Sequence, residues 1–489
     1  MGGNEGMKKK TIIAAAAALT LTAGIASAAV ISGNTAEGIA FSNNGQAVAP
    51  SSPAVNIDGR LYLPVRAIGE TMGKYVDYDY FNQSVALTDK PQLTGKFSLQ
   101  EPNLADGVKM GIGSSLTHLP GDPDNVFYST ADRGPNGQVD VGGKLVRTFP
   151  LADYAPTIYK VQIADGRIHI LDKFPLKVAG KDPVTGSEKI TGLPNIKGRD
   201  EAPFDAKGEK ELAYDPYGLD IEGLAYNAKD DTFWIADEYG PSIVHAKRDG
   251  TLIERIVPQG WAAQASTPLV PARETLPAVY NKLRQNRGAE AVGITQDGKY
   301  MFMAMQNALR NPNKDMDNSR QVRLIKLDLS TLKPVAEYVY LLEDASQFTD
   351  LVQGDIVISD LVVVNENTLL IDERDKFSGD KAQLKRIYAI DLSKATNILG
   401  KYDDAANASG KTLEQMMIAD LKAIGINPVS KRTVLDAVEF KFPYEKIEGV
   451  SLTNGNTLTI VNDNDFGVDS TTADNGTEMW QFKLPYTLK

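Results

Sequence analysis

The chain has no cysteine and only three histidines and three tryptophans in 489 residues. Without cysteine it can form no disulfide, no thiolate metal site and no thiol nucleophile. The histidines, His118, His169 and His245, are scattered, and the last two fall inside strand patterns where a packed or surface imidazole is the simpler reading. There is no HExxH zinc pair, no Walker loop and no GxSxG nucleophile elbow; "GIGSS" at Gly111 is a glycine-rich strand start. Long apolar runs are scarce too. The nearest, "TIIAAAAALTLTAGI" from Thr11, is shorter and richer in alanine than the roughly 20 apolar residues of a membrane-spanning helix. Positive charge is in deficit, 52 Lys and Arg against 63 Asp and Glu for a net −11. With no basic patch to offset it, this balance argues against nucleic acid and anionic membrane as partners.

The amino terminus follows the pattern of an export signal. Lys8, Lys9 and Lys10 precede the apolar run and "ASA" at Ala26 to Ala28 offers a cleavage site, so residues 1–28 are expected to be a signal peptide, with Met7 as an alternative start. Cleavage removes three lysines and Glu5 and leaves a net charge of −13. The expectation is a secreted or cell-wall-associated protein of a Gram-positive bacterium, with no transmembrane span after cleavage; an uncleaved anchor is the alternative. Residues 29–53 are small and polar and are expected to be a linker.

Residues 54–90 have a different texture. "VNIDGRLYLPV" predicts two short strands around an Asp-Gly turn, "RAIGETMG" a helix closed by Gly73, and "YVDYDYFNQSVALTD" a hairpin. With its "DGRLYLPVRAIGETMG" core, the segment resembles the copper amine oxidase N-terminal domain, found also on secreted proteins as a stalk-like unit. The resemblance implies spacing or envelope contact. No histidine falls in the segment, so copper is not expected there.

From residue 95 to 489 short β-rich runs alternate with Asp, Asn and Gly. Five segments superpose: "MGIGSSLTHLPGDPDNVFYSTADRGP" from Met110, "DIEGLAYNAKDDTFWIADEYGP" from Asp220, "GAEAVGITQDGKYMFMAMQNAL" from Gly288, "DIVISDLVVVNENTLLIDERD" from Asp355 and "KIEGVSLTNGNTLTIVNDNDFG" from Lys446. Each reads as strand, turn, strand, and most are followed by a further pair, such as "TIYKVQIADGRIHILDKF" and "SIVHAKRDGTLIERIVP". Four strands per repeat predict an all-β fold, a β-propeller, preceded by the small α+β domain. Five blades are legible. A sixth has room in the long gaps, one of which also holds a predicted helix, "TLEQMMIADLKAIG". The last repeat stops one strand short at "EMWQFKLPY", so "GKFSLQEP" near residue 98 is expected to complete it and close the ring, leaving no unpaired edge.

In a propeller, residues at matching places in successive blades converge on the axis. Glu222, Glu290 and Glu448 sit near the start of first strands, as does Asp360 after a shift of register; Asp132, Asp237, Asp372 and Asp463 end second strands, where Glu238 and Glu373 follow and Gln306 and Asn307 hold the third repeat's place. Carboxylates so gathered cannot all ionise without a cation, and oxygen ligands suit Ca2+ or Mg2+. The alternative is that these acids are turn formers that tie blades together through backbone N–H groups. Arg133, Arg287 and Arg374 lie beside them, placed either to hold a phosphate or carboxylate or to form structural ion pairs. "NDNDFGVDS" from Asn462 offers a further set of rim ligands.

With "IEGLAYN", "FWIADEYGP", "NRGAEAVGIT", "LLIDERD" and "KIEGVSL" in order, the chain resembles the phytase-like family, described by an esterase-like activity of phytase, over residues 100 to 485. The resemblance implies a propeller and a hydrolase of phosphate or other esters; the "DDPAIW"-type start of calcium-dependent alkaline phytases is absent. The expected site has a divalent cation, Ca2+, on Glu222, Glu290, Glu448, Asp463 and Asp132. A general base comes from Asp237, Glu238, Asp372 or Glu373, and Arg133, Arg287, Arg374, Gln306 and Asn307 hold a small anionic ester. A calcium-dependent lactonase or aryl esterase and a non-catalytic envelope-binding protein are the two rival readings.

Overall fold

A computed structural model describes residues 34–35, 39–43, 46–468 and 476–489. The expected signal peptide lies outside the described residues. The chain divides into two compact units, one holding residues up to 78 and 84–90, the other holding 79–83 and 91–489.

In the first unit, strands Val55–Ile57 and Arg60–Tyr62 flank a turn in which Asp58 and Gly59 both take positive φ, the geometry of a tight hairpin. Helix Val65–Thr71 ends where Gly73, at φ 71°, donates its N–H to Glu70 O at 3.0 Å. The hairpin Lys74–Asp79 and Ser84–Asp89 follows. Part of the expected linker is drawn in: Asn34 and Thr35 pair antiparallel with Asn56 and Val55. Backbone pairing of this kind is not encoded in side-chain composition, so the stretch reads as a tether from its residues alone.

The second unit is a β-propeller of five four-stranded blades among the described residues. From inside to outside, blade one runs Ser115–Thr117, Val126–Ala131, Thr157–Ala164 and Arg167–Pro175. Blade two is Ile221–Asn227, Thr232–Asp237, Ser242–Lys247 and Leu252–Pro258, with Ala272–Leu276 added in parallel outside. Blade three is Ala289–Ile294, Tyr300–Met305, Gln321–Asp328 and Lys333–Leu341; blade four is Val357–Val363, Thr368–Arg374, Lys385–Asp391 and Ser430–Asp436. Blade five takes Gly449–Thr453, Thr457–Val461 and Glu478–Lys483 from the end of the chain and Gln92–Leu99 from its other end, paired antiparallel. The closing strand is thus the one expected, and it also touches the outer strand of blade one through Ser98 and Leu99.

The inner strands are neighbours in cyclic order, each against the next and the fifth against the first. Apolar layers fill the spaces between blades: Tyr128 and Phe233 between one and two, Met303 and Ile371 between three and four, Leu370 and Trp480 between four and five, Phe127 and Met479 between five and one. The strands therefore read as nearly continuous apolar runs, as expected when both faces are covered. The helix expected over 412–425 is a 3-10 turn, Leu413–Gln415, followed by Ile418–Ala423. It packs on blade three, where Arg323, fully buried, reaches Glu414 at 2.7 Å and Glu337 at 3.0 Å. No helix among the described residues is long and apolar enough to cross a membrane.

Candidate functional site

Three inner strands carry a bulge at the same place. The ladder pairs Ile221 with Asp237 and Gly223 with Ala236, skipping Glu222; Ala289 with Met305 and Ala291 with Ala304, skipping Glu290; Ile358 with Glu373 and Asp360 with Asp372, skipping Ser359. A bulge re-aims the extra side chain, and here it turns these residues toward the axis. Close approach of the inner strands depends on small residues beside them: a Cβ on Gly223 would fall 2.9 Å from Glu290 O. Glu448 precedes its inner strand and donates its N–H to Val461 O at 3.1 Å. In blade four the matching residue is Ser359 rather than Asp360. Asp360 instead accepts the Val450 N–H at 2.7 Å and ties blade four to blade five.

The residues just past the partners of Ile221, Ala289 and Ile358 are Glu238, Gln306 and Arg374, and all three line a cavity of about 310 Å3 on the axis. Asp132, Arg133, Glu222, Arg287 and Glu448 line it as well. Glu290 lies fully buried behind it, Oε1 accepting Gln306 Nε2 at 2.6 Å and Oε2 without a partner.

Four expected site residues are placed elsewhere. Asp237 is fully buried and accepts from Ser242 Oγ at 2.6 Å and the Asp220 N–H at 3.0 Å, so it pins a strand end. Glu373 accepts from Tyr340 Oη of blade three and Lys431 Nζ of blade four and so joins the two blades. Asp372 is fully buried with neither oxygen hydrogen-bonded, and burial pushes its carboxyl well up, against the pull of Arg374. Asn307 donates to Ile356 O and accepts from the Ala308 N–H. None of the four lines the cavity. The pleat explains three of them: Asp237, Glu373 and Asn307 stand one step from Glu238, Arg374 and Gln306, and one step turns a side chain to the opposite face, whereas Asp372 lies two residues further into the strand from Arg374.

The acids form two groups that share Asp132. Oxygens of Asp132, Asp463 and Asp465 lie within 4.8 Å of one another, as do those of Asp132, Asp220 and Glu222. The first group already holds a cation, since Lys446 Nζ is 2.7 Å from Asp465 and 3.2 Å from Asp463. In the second, Arg133 reaches Asp220 Oδ2 at 3.0 Å. Glu222, nine-tenths buried, has no hydrogen bond or ion pair among the described residues. Burial and the Asp220 charge push Asp132 up to about 7, and the same two causes push Glu238 up to about 8. Burial and the surrounding acids hold Glu222 and Glu290 well above the usual carboxylate range. An all-oxygen set short of donors fits a hard divalent cation; the expected ligands Glu290 and Glu448 stand outside this group, and Asp220 and Asp465 enter in their place.

The arginines differ in commitment. Arg374 donates to Glu448 at 2.6 Å and Ser359 Oγ at 2.9 Å, and Arg133 is shared by Asp220 and Glu201. Arg287 donates only to Asn286 O at 3.1 Å and keeps Nε free, and Arg284, also on the cavity wall, has no acidic partner among the described residues. Arg284 was not singled out in the sequence, nor were Asp220 and Lys446; Asp220 opens the "DIEG" motif and Asp465 falls in "NDNDFG", so both were within reach.

Comparisons with known proteins follow the same division. A copper amine oxidase N-terminal domain model matches residues 31–93. An uncharacterized secreted protein of Arthroderma benhamiae is 26% identical over 370 residues, covering 67% of this chain and 71% of its own. Among solved structures, U3-55K is 12% identical with a TM-score of 0.35, covering 80% of this chain and 99% of its own. A luciferin-regenerating enzyme is 11% identical with a TM-score of 0.32, covering 85% and 94%. The model for esterase-like activity of phytase matches residues 109–466, the greater part of the propeller, and the chain belongs to that phytase-like family.

Proposed function

We propose that the protein is an exported hydrolase of small anionic esters, phosphoesters first, acting in the axial cavity. The observation that carries this reading is the presence, in one cavity, of two guanidinium groups without acidic partners, Arg284 and Arg287, and of acids short of donors. Arg284 and Arg287 hold the anionic oxygens of the substrate, for which a planar fork of donors is suited. Asp132, Asp220 and Glu222 would hold calcium or magnesium, which when bound supplies Lewis-acid polarisation of an ester oxygen. Glu238 takes a proton from water as the water oxygen bonds to phosphorus, and returns it to the ester oxygen as the P–O bond breaks; phosphate and alcohol leave. The secreted relative supports export, and the front unit would serve as spacer or envelope contact.

The test is hydrolysis of p-nitrophenyl phosphate, bis(p-nitrophenyl) phosphate and p-nitrophenyl acetate by the purified secreted chain, with calcium and then with EDTA. Cation-dependent turnover of the phosphoesters supports the reading. Turnover confined to the acetate moves the assignment to a carboxylesterase, and silence on all three leaves the cavity a binding site.

A further inference from the structure

Arg284 and Arg287 stand opposite each other in an antiparallel bridge, brought together by a turn in which Asn286 takes φ 57°. Residues so paired project to one side of the ladder, and both side chains line the axial cavity. Both residues are partly exposed, so a ligand in the cavity can reach them. Burial and the Arg287 charge lower the pKa of Arg284. A guanidinium placed in this way ordinarily recruits a carboxylate. Two are at hand, since the charges of Asp317 and Asp355 both act on Arg284 in the opposite sense.

Each of those carboxylates is held by another cation. Both oxygens of Asp317 are taken by Arg310, from Nε at 2.7 Å and Nη2 at 2.8 Å. Asp355 Oδ2 accepts the Val352 N–H at 2.9 Å and lies 2.9 Å from Lys376 Nζ. The 3-10 turns that carry the two acids, Lys314–Asn318 and Gln353–Asp355, pack on each other. Gly354 leaves the space that Arg284 fills: a Cβ there would fall 3.0 Å from Arg284 Nη1 and 3.1 Å from Asp317 O. The guanidinium therefore lies against the backbone beside Asp355 without pairing its side chain. Lys376 is half-exposed on the cavity wall, the one place from which it can hold Asp355 and still leave Arg284 open.

We infer that Lys376 and Arg310 are specificity-determining residues that hold Asp355 and Asp317 off Arg284, so that the arginine pair stays open to an oxyanion. The inference rests on the functional reading above for the role of that pair. It makes Lys376 a positioning residue, whose ammonium serves the anion by occupying an acid rather than by touching the anion.

Calorimetric titration of the whole chain with inorganic phosphate in EDTA tests it as a double-mutant cycle. Lys376→Met is expected to weaken phosphate binding about tenfold, because Asp355 then pairs with Arg284 and a charge-assisted hydrogen bond to the anion is lost. Lys376→Arg should bind phosphate as wild type does. Asp355→Asn keeps an oxygen for the Val352 N–H but has no charge to offer Arg284, so in its presence Lys376→Met should change the affinity by less than about twofold. A second cycle, Arg310→Met against Asp317→Asn, should behave in the same way. An equal loss from Lys376→Met with and without Asp355→Asn would mean that the ammonium contacts the anion itself, and would overturn the inference. So would additive losses in the second cycle, wild-type affinity in Lys376→Met, weak binding by Lys376→Arg, or no phosphate binding by the wild type. Both cycles as expected, together with no turnover of p-nitrophenyl phosphate in calcium, would leave the inference standing while removing the hydrolase reading.

Discussion

Replacing Glu238 by Gln is expected to make the protein more stable and inactive at once. Glu238 is 4% exposed, and its carboxyl is pushed up to about 8 by burial and by Asp220, against Arg133 and Arg287. In the unfolded chain a glutamate titrates near 4.3. The folded state therefore keeps a proton that the unfolded chain releases, and stability falls as pH rises from about 4.3 to about 8. Each pH unit across that window costs about 1.4 kcal/mol, so at pH 7.5 the residue lowers stability by about 4 kcal/mol relative to pH 4. An amide keeps the shape and an N–H donor but has no proton to lose. Urea unfolding in EDTA at pH 4.0 and 7.5 should give equal stabilities for wild type and Glu238→Gln at the lower pH. At the higher pH the variant should gain about 3 to 4 kcal/mol, with phosphoester turnover in calcium reduced at least 100-fold. A Glu238→Gln protein no more stable than wild type at pH 7.5, with the same slope against pH, would refute the reasoning.

Three further outcomes are expected. Lys446 occupies the Asp463–Asp465 acids, so wild type should bind one calcium ion by equilibrium dialysis and Lys446→Met should bind two; two in the wild type would refute the stand-in role of the ammonium. Arg287→Ala should raise KM for a phosphoester about 10- to 100-fold, the loss of a charge-assisted hydrogen bond of about 1.5–3 kcal/mol, and, because the Arg287 charge helps hold the Glu238 carboxyl down, should lower the urea midpoint only at a pH above about 8, where that group ionises in the wild type. Lys431 holds the Glu343 carboxyl down to about 2 against its burial, so that group contributes stability above about pH 4.5 that is lost as pH falls toward 2; Glu343→Gln should flatten the acid limb of a melting-temperature profile over that window.

Repetition made the architecture legible. A strand pattern written five times, and one strand missing from the fifth copy, specify a ring and its closure because an open edge would be left unpaired. What composition could not supply was the pleat. "DE" at Asp237 and Glu238 offers two chemically equivalent acids, and one step along the backbone sends the first to Ser242 and the second to the cavity. In "ISD" of blade four, matching acid with acid selects Asp360, while the bulge selects Ser359. Yet spacing carried the information that residue type did not: 68 residues separate Glu238 from Gln306, and 68 separate Gln306 from Arg374. An acid, an amide and a guanidinium hold one structural place, so alignment by chemistry misses them and alignment by period finds them.

That substitution at a fixed place also bears on how well the cavity suits the proposed anionic ester. Had every blade kept an acid at the place of Glu238, the axis would carry five carboxylates, a site for cations and a barrier to phosphate. Blade three contributes neutral Gln306 and blade four the Arg374 that ties down Glu448, while the entry loop of blade three adds Arg284 and Arg287. The grouped acids lie on blades one, two and five, at Asp132, Glu222, Asp463 and their neighbours, and blade three adds Glu290, buried behind the cavity against Gln306, while among the described residues the cavity arginines without an acidic partner, Arg284 and Arg287, are on the entry loop of blade three. In the proposed hydrolysis an anion approaches from the arginine side, a cation would be held on the other, and Glu238, on the blade between Asp132 and Arg287, carries the proton. Exchanging Gln306 for Glu would restore the acid to blade three. The separation of charge predicts that phosphate affinity falls while calcium affinity rises, and a rise in both would mean that the two kinds of charge do not act as separate halves of one site.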